Sequence, residues 1–145
     1  MRLSVHTGHA LHVLLHLAAN GGTATTLEIA ERYGISRSHL TKVVSGLGRA
    51  GLIDTVRGRG GGIGLARPAD AIALGSVLRH TEGRIPLAEC FPVGAGACRI
   101  APCCEFRNVL AAAQEAFFAA LDRCTLQDLA RRDPRLVDAF AEDTG

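Results

Sequence analysis

The tightest constraint on the fold is the spacing Gly34-Ile35-Ser36, which separates two helical patterns by only two residues. Before it, Leu27, Ile29, Ala30 and Tyr33 recur at helical steps, Thr25 or Thr26 can cap the run, and Gly34 supplies the left-handed residue that ends it. After it, Ser36 is a favoured N-cap. Leu40, Val43, Val44 and Leu47 then form one apolar stripe, leaving Arg37, Ser38, His39, Thr41, Lys42 and Ser45 on the outer side. This is the spacing of a helix-turn-helix. A first helix from about 4 to 19 precedes it, with Val5, Leu11, Leu14, Leu15 and Ala18 as its apolar positions and Asn20-Gly21-Gly22 as its stop.

Two short apolar segments, Leu52 to Val56 and Ile63 to Leu65, flank Arg57-Gly58-Arg59-Gly60-Gly61-Gly62 and predict a β-hairpin with a flexible basic tip. Helix-turn-helix plus hairpin is a winged helix. The expected use is geometric: the third helix fits a major groove about 12 Å wide, and glycines let the tip arginines approach the flanking backbone. Ser36, Arg37, Ser38, His39 and Lys42 are therefore candidate groove residues, with Arg57 and Arg59 in the wing; Ser36 can equally be a cap alone. A dinucleotide loop would need Gly at i, i+2 and i+5, but counting from Gly58 the third position is Ile63, and no Gly-Lys-Ser/Thr occurs. A trihelical unit without DNA binding would share these periodicities but leaves the basic tip without a use.

Charge divides along the same line. Residues 1–67 carry eight Lys/Arg against three Asp/Glu, net +5, and residues 68–145 carry eight against eleven, net −3. A polyanion is attracted to the first part, because cationic side chains release condensed counterions from phosphates. Aromatic residues make up 4% of the chain and Trp is absent, so base-stacking platforms have little material. Histidines at 6, 9, 12 and 16 break the uncharged stretch 3–27 into runs too short for a signal peptide or a spanning helix, and a cytoplasmic location is expected.

All five cysteines (Cys90, Cys98, Cys103, Cys104 and Cys124) lie in the acidic part, four of them in an aperiodic stretch from 85 to 104. An odd number in a reducing compartment argues for metal or redox chemistry over disulfides. Gaps of seven, four and zero residues lack the close pairs of structural zinc, and no Cys-x-x-Cys exists for dithiol exchange. An iron–sulfur cluster tolerates looser spacing, with zinc–thiolate or reduced structural cysteines as alternatives. Before this stretch, Ala69 to His80 predicts a helix ended by Gly83. After it, Phe106, Val109, Leu110, Ala113, Phe117, Ala120 and Leu121 predict a long helix whose stripe buries against a partner. Thr125 to Asp128 reads as a capping box for a last short helix ending before Pro134.

Over nearly its whole length the chain resembles the Rrf2-type winged-helix transcription regulators. The resemblance rests on Met1-Arg2-Leu3, Ser36-Arg37-Ser38-His39-Leu40, Val56-Arg57-Gly58-Arg59-Gly60-Gly61-Gly62, and Cys90, Cys98 and Cys104 before a long helix. It implies a cytoplasmic homodimer paired through that helix, with no catalysis, in which Cys90, Cys98 and Cys104 are thiolate ligands of an iron–sulfur cluster, 2Fe-2S or 4Fe-4S. Arg107 stands where the branch regulating cluster biogenesis has a His ligand. Cys98 to Cys104 and Thr125 to Leu129 look more like the branch of nitric-oxide-sensing repressors. Some members there complete the site with an Asp where this chain has Gly8. His9 or His6 is then a possible fourth ligand, against a solvated or dimer-facing stripe formed by the four first-helix histidines. Cys103 reads as an extra thiol and Cys124 as a small buried hydrophobe.

The resulting expectation is a mainly α protein with a β-hairpin wing: a DNA-binding unit at 1–67, a connecting helix and cluster loop at 68–104, and a dimerisation helix and tail at 105–145. Its expected role is that of a repressor of double-stranded DNA operators under cluster control, with nitric oxide as signal. A redox- or iron-responsive regulator is the near alternative. An electron carrier or zinc–thiolate protein is the distant one, which leaves the basic winged helix unexplained.

Overall fold

The computed structural model describes residues 2–58, 61–83, 87–88, 98–100 and 103–132. Arg59, Cys90 and the segment after 132 lie outside the described residues. The chain order is α1 (Val5–Asn20), α2 (Thr26–Tyr33), α3 (Arg37–Arg49), β1 (Ile53–Val56), β2 (Gly62–Leu65), a 3-10 turn (Ala69–Ala71), α4 (Leu74–Glu82), α5 (Glu105–Asp122) and α6 (Leu126–Arg132).

Local chemistry sets most of these boundaries. Ser4 caps α1 by accepting from the Thr7 N–H, and Gly21 closes the helix in the left-handed conformation. Thr25 and Glu28 form a reciprocal capping box at the start of α2. Gly34, at φ +61°, turns the chain so that the Ile35 N–H reaches the Ala30 carbonyl at 2.9 Å and the Ile35 side chain is buried. Ser36 then caps α3, completing the expected helix-turn-helix.

The strands pair antiparallel in the register Ile53 with Leu65 and Val56 with Gly62. A third segment joins them, since Ala24 and Ile63 exchange backbone hydrogen bonds of 3.0 and 2.8 Å. This explains the glycine at 62, because a Cβ there would collide with the Ala24 backbone. At the tip, Gly58 adopts φ +112°, which side-chain-bearing residues rarely reach.

The core gathers Val13, Leu14 and Leu17 of α1, Ile29 of α2, Leu40, Val43 and Leu47 of α3, Ile53 and Ile63 of the wing, and Ile72, Val77 and Leu126 beyond it. Burying each such side chain stabilises the fold by about 1.5–3 kcal/mol. The buried face of α1 is only partly the expected one: Leu14 is fully buried. Val5 is 65% exposed and Leu11, Leu15 and Ala18 sit at the rim, while Thr7, Ala10 and Val13 point inward. This helix is apolar on most sides, so its periodicity marks no unique face.

The helix expected from Ala69 begins only at Leu74. Residues 72–74 instead form a short extended ladder with 124–126, in which Leu74 donates to the Cys124 carbonyl and Leu126 to the Ile72 carbonyl, each at 2.9 Å. Backbone groups used between distant segments cannot also close helical turns. The long helix is present; Phe118 is its one buried residue, and the stripe expected to meet a partner is exposed at Phe106 and Val109 and half-buried at Leu110, Phe117 and Leu121. The last helix starts at its Thr125–Asp128 capping box. Among the described residues, no helix is long and apolar enough to cross a membrane.

Candidate DNA interface and thiol segment

The outer face of the first two turns of α3 stands open to solvent. Ser36, Arg37, Ser38, His39 and Lys42 are all exposed, as is Arg57 at the base of the wing. The Ser36 hydroxyl accepts from the His39 N–H at 3.4 Å and lies 3.4 Å from the Ser38 hydroxyl, so it does cap the helix. Thr41 folds back to donate to the Arg37 carbonyl, and Ser45 accepts from Arg49. Arg37, Lys42 and Arg57 pair with no carboxylate among the described residues. Uncompensated cations beside small hydroxyls suit a phosphate-lined groove.

The α1 histidines do not act as one stripe. His16 is buried, and its Nε2 lies 2.9 Å from Asn20 Nδ2. His12 stacks on Tyr33 at 4.8 Å with the rings nearly parallel. Burial raises the Tyr33 hydroxyl to about 12. His9 faces the recognition helix, with its ring 6.4 Å from that of His39. Together with Val5, His6, Lys42 and Val43, these two histidines line a cleft of about 170 Å³ between α1 and α3. Burial, and then repulsion from His12, His39 and His6, holds His9 below its ordinary value. The two candidate fourth-ligand histidines thus border the reading helix of their own chain. Gly8 beside them has open space around its Cβ position, so packing does not require a glycine there.

The described part of the thiol segment is short. Cys103 donates its N–H to the Ile100 carbonyl at 3.0 Å, forming a turn that leads into α5. Cys104 occupies the N-cap position of α5 without a side-chain capping bond. Cys98 and Cys104 are half-buried free thiols, Cys103 is an exposed one, and Cys124 is only partly covered. No group of three or more potential ligands is assembled for a metal among the described residues, and the position of Cys90 lies outside them. The donor set fits an iron–sulfur cluster chemically. Cys98 and Cys104 carry the soft sulfur donors such a cluster takes, and Cys104 stands at the N-terminus of α5.

The contacts that sequence reasoning missed are at the end of α4. Arg79 grips Asp122 of α5 through two bonds of 2.8 and 2.7 Å and lies over the Phe118 ring. His80 Nε2 donates to the Gly46 carbonyl of α3 at 3.0 Å. Glu82 accepts from the Ser4 N–H at 2.7 Å, the Ser4 hydroxyl at 2.9 Å and the Thr7 hydroxyl of α1. The partners lie 34 or more residues apart, and no local pattern announces them.

A helix-turn-helix with a two-stranded wing and an open cationic helix defines a winged-helix transcription regulator. The family described as Rrf2, iron-dependent transcriptional regulator, matches residues 3–132. The chain belongs to the Rrf2 family, and it is a regulator rather than an enzyme. It is 44% identical over 147 positions to the HTH-type transcriptional regulator NsrR of Geobacillus kaustophilus, with both chains fully covered. It is 42% identical over 133 residues to NsrR of Bacillus subtilis, covering 90% of this chain and 91% of the relative. Among solved structures, CymR, the global cysteine regulator of B. subtilis, matches with a TM-score of 0.72 at 29% identity over 92% of this chain and 98% of that one.

Proposed function

We propose that this protein is a homodimeric, cytoplasmic repressor whose affinity for double-stranded operator DNA is controlled by an iron–sulfur cluster, 2Fe-2S or 4Fe-4S, with nitric oxide as the signal. The reading is supported by relatives named NsrR over the full chain and by a family described as iron-dependent. The observation that carries it is the open, uncompensated cationic face of α3 in the same chain as free thiols at the start of α5.

Ser36, Arg37, Ser38, His39 and Lys42 enter the major groove, while Arg57 and Arg59 contact flanking backbone. Self-association uses α5, where Phe106 is 65% and Val109 61% exposed, too apolar a face for solvent alone. A paired reader requires half-sites about one helical turn apart. Cys90, Cys98 and Cys104 would hold the cluster, and bound iron supplies the centre that nitric oxide attacks. The chain's own part is mechanical: the thiol segment bridges α4 and α5, so releasing its cysteines frees both ends of the link between reading heads and dimer helix. A 10²-fold loss of affinity needs only ~3 kcal/mol of coupling.

The test is anaerobic purification followed by absorption spectroscopy and iron and sulfide analysis. The dimer's affinity is then measured for a duplex selected by it from a random pool. Cys98→Ala and Cys104→Ala should be colourless and unresponsive, and equimolar nitric oxide should release the duplex from the wild type. A colourless, iron-free wild type that still responds overturns the reading. Release by oxygen or a chelator but not by nitric oxide transfers the signal to redox state or iron supply.

A further inference from the structure

The last turn of α4 touches three helices. Arg79 holds α5, His80 holds α3 and Glu82 holds α1. These residues lie within four consecutive positions, immediately before the segment that carries Cys90 to Cys104. The three contacts differ in kind. The Arg79–Asp122 pair is solvent-exposed on both sides. The Glu82 cluster fixes the α1 N-terminus through the residue that also caps it, Ser4. The His80 bond reaches a main-chain carbonyl inside the recognition helix, an acceptor that no side-chain change on α3 can remove.

Gly46 is the point where that bond lands, and it is a weak point of α3. The sequence Ser45-Gly46-Leu47-Gly48 places two glycines in the C-terminal half of the helix, where each lowers intrinsic helicity. The Gly46 carbonyl already accepts from the Ala50 N–H at 3.0 Å, and the His80 N–H adds a second bond to the same oxygen. A carbonyl has two lone pairs and can take both. Because that oxygen only accepts, His80 must carry its proton on Nε2. From α1, His6 lies over the same glycine, with its Nε2 3.9 Å from the Cβ position. A recognition helix with a soft C-terminal half is thus steadied from outside at one carbonyl.

We infer that His80 is a positioning residue for DNA reading: its bond to the Gly46 carbonyl sets how α3 is presented, and through the same turn ties that presentation to the thiol segment. The first half of this inference stands on the contact alone. The second rests on the function proposed above. His80 is exposed, so the contact contributes little to the core and its loss acts on the placement of α3 rather than on folding.

The experiment compares full-length wild type, His80→Phe, which keeps a ring without a donor, and His80→Gln, which keeps an N–H near the same place. Each is titrated with the duplex selected from a random pool by the wild type and with a scrambled duplex of equal length, and each is melted. The expected result for His80→Phe is an affinity for the selected duplex about tenfold weaker, with scrambled-duplex affinity and melting temperature retained. His80→Gln should recover most of the loss. Wild-type affinity in His80→Phe overturns the inference, as does a loss that His80→Gln fails to restore or that falls equally on both duplexes. If His80→Phe does not fold, His80→Ala takes its place under the same criteria. Repeating the titrations after nitric oxide separates the two readings. An unresponsive wild type defeats cluster control while leaving the His80 result to be judged on untreated protein. A wild type that responds and a His80→Phe that responds by the same factor defeats the link to the thiol segment.

Discussion

The reading head and the long helix are built on different principles. From α1 to α4, each element gives side chains to one shared core, with Leu14, Ile29, Leu40 and Ile72 fully buried. In α5, 18 residues long, Phe118 alone is buried, and the helix is held by that ring, the Arg79–Asp122 pair and close contact with α4. A Cβ on Gly75 would collide with the Asp122 carboxylate and lie 2.9 Å from the Phe118 carbonyl, so the two helices touch almost backbone to backbone. That core is completed from outside the head by Leu126 of α6. The long helix leaves Phe106 and Val109 uncovered near its start, the face that the proposed self-association would use.

The largest test of this contrast is Leu40→Ala, which leaves a cavity where the reading helix enters the core. It should cost about 2–5 kcal/mol in urea unfolding. A loss below 1 kcal/mol would show that the head is not the organising core. Phe106→Glu combined with Val109→Glu should leave the circular-dichroism spectrum of the head unchanged and weaken self-association about 100-fold by sedimentation, since apolar anchors carry most interface energy. Unaltered association would assign dimerisation to another surface.

Acid should destabilise the head in two steps. Burial, helped by Arg32, holds His16 below its ordinary value. The unfolded chain therefore binds more protons below pH of about 6.5, and stability declines as pH falls from there towards the folded value. Glu82 acts in the same direction at lower pH. Burial alone would raise its pKa, but bonds from Thr7 and Ser4 outweigh this and hold it low, and Glu28 is held low by the Thr25 N–H and hydroxyl. These carboxylates contribute fully above the unfolded value of about 4.3 and lose that contribution as pH drops through their folded values. Urea midpoints measured against pH should show both steps, and Glu82→Gln should shrink the lower one only. The smallest effect expected is a gain: Gly48 is helical with nothing within 4 Å of its Cβ position, so Gly48→Ala should stabilise by about 0.5–1 kcal/mol. Lower operator affinity in that variant would indicate that softness in α3 is useful.

Legibility followed the same divide. The helix-turn-helix, the wing, the helix caps and the Thr125–Asp128 capping box could be read directly, because a cap joins residues three apart and a tight turn demands its glycine. The inward face of α1 could not, since an almost wholly apolar helix offers several faces and only the neighbours choose among them. The start of α4 was missed because its first residues pair with 124–126, a contact across some fifty positions. At the reading face, Ser36 to Lys42 stand where their spacing placed them. The histidines expected to share one face were divided among Asn20, Tyr33 and His39.

What the sequence determined alone is the set of parts: a cationic helix after a two-residue turn, a glycine-tipped hairpin, a thiol segment and a long apolar helix. Each depends on interactions within a few residues, whose energies do not require the rest of the chain. The tertiary structure decided that the end of α4 meets three helices at once, that His9 lies against His39, and that α5 leaves Phe106 and Val109 outward. Those outcomes depend on which buried surfaces fit together, and packing joins residues that sequence distance keeps apart.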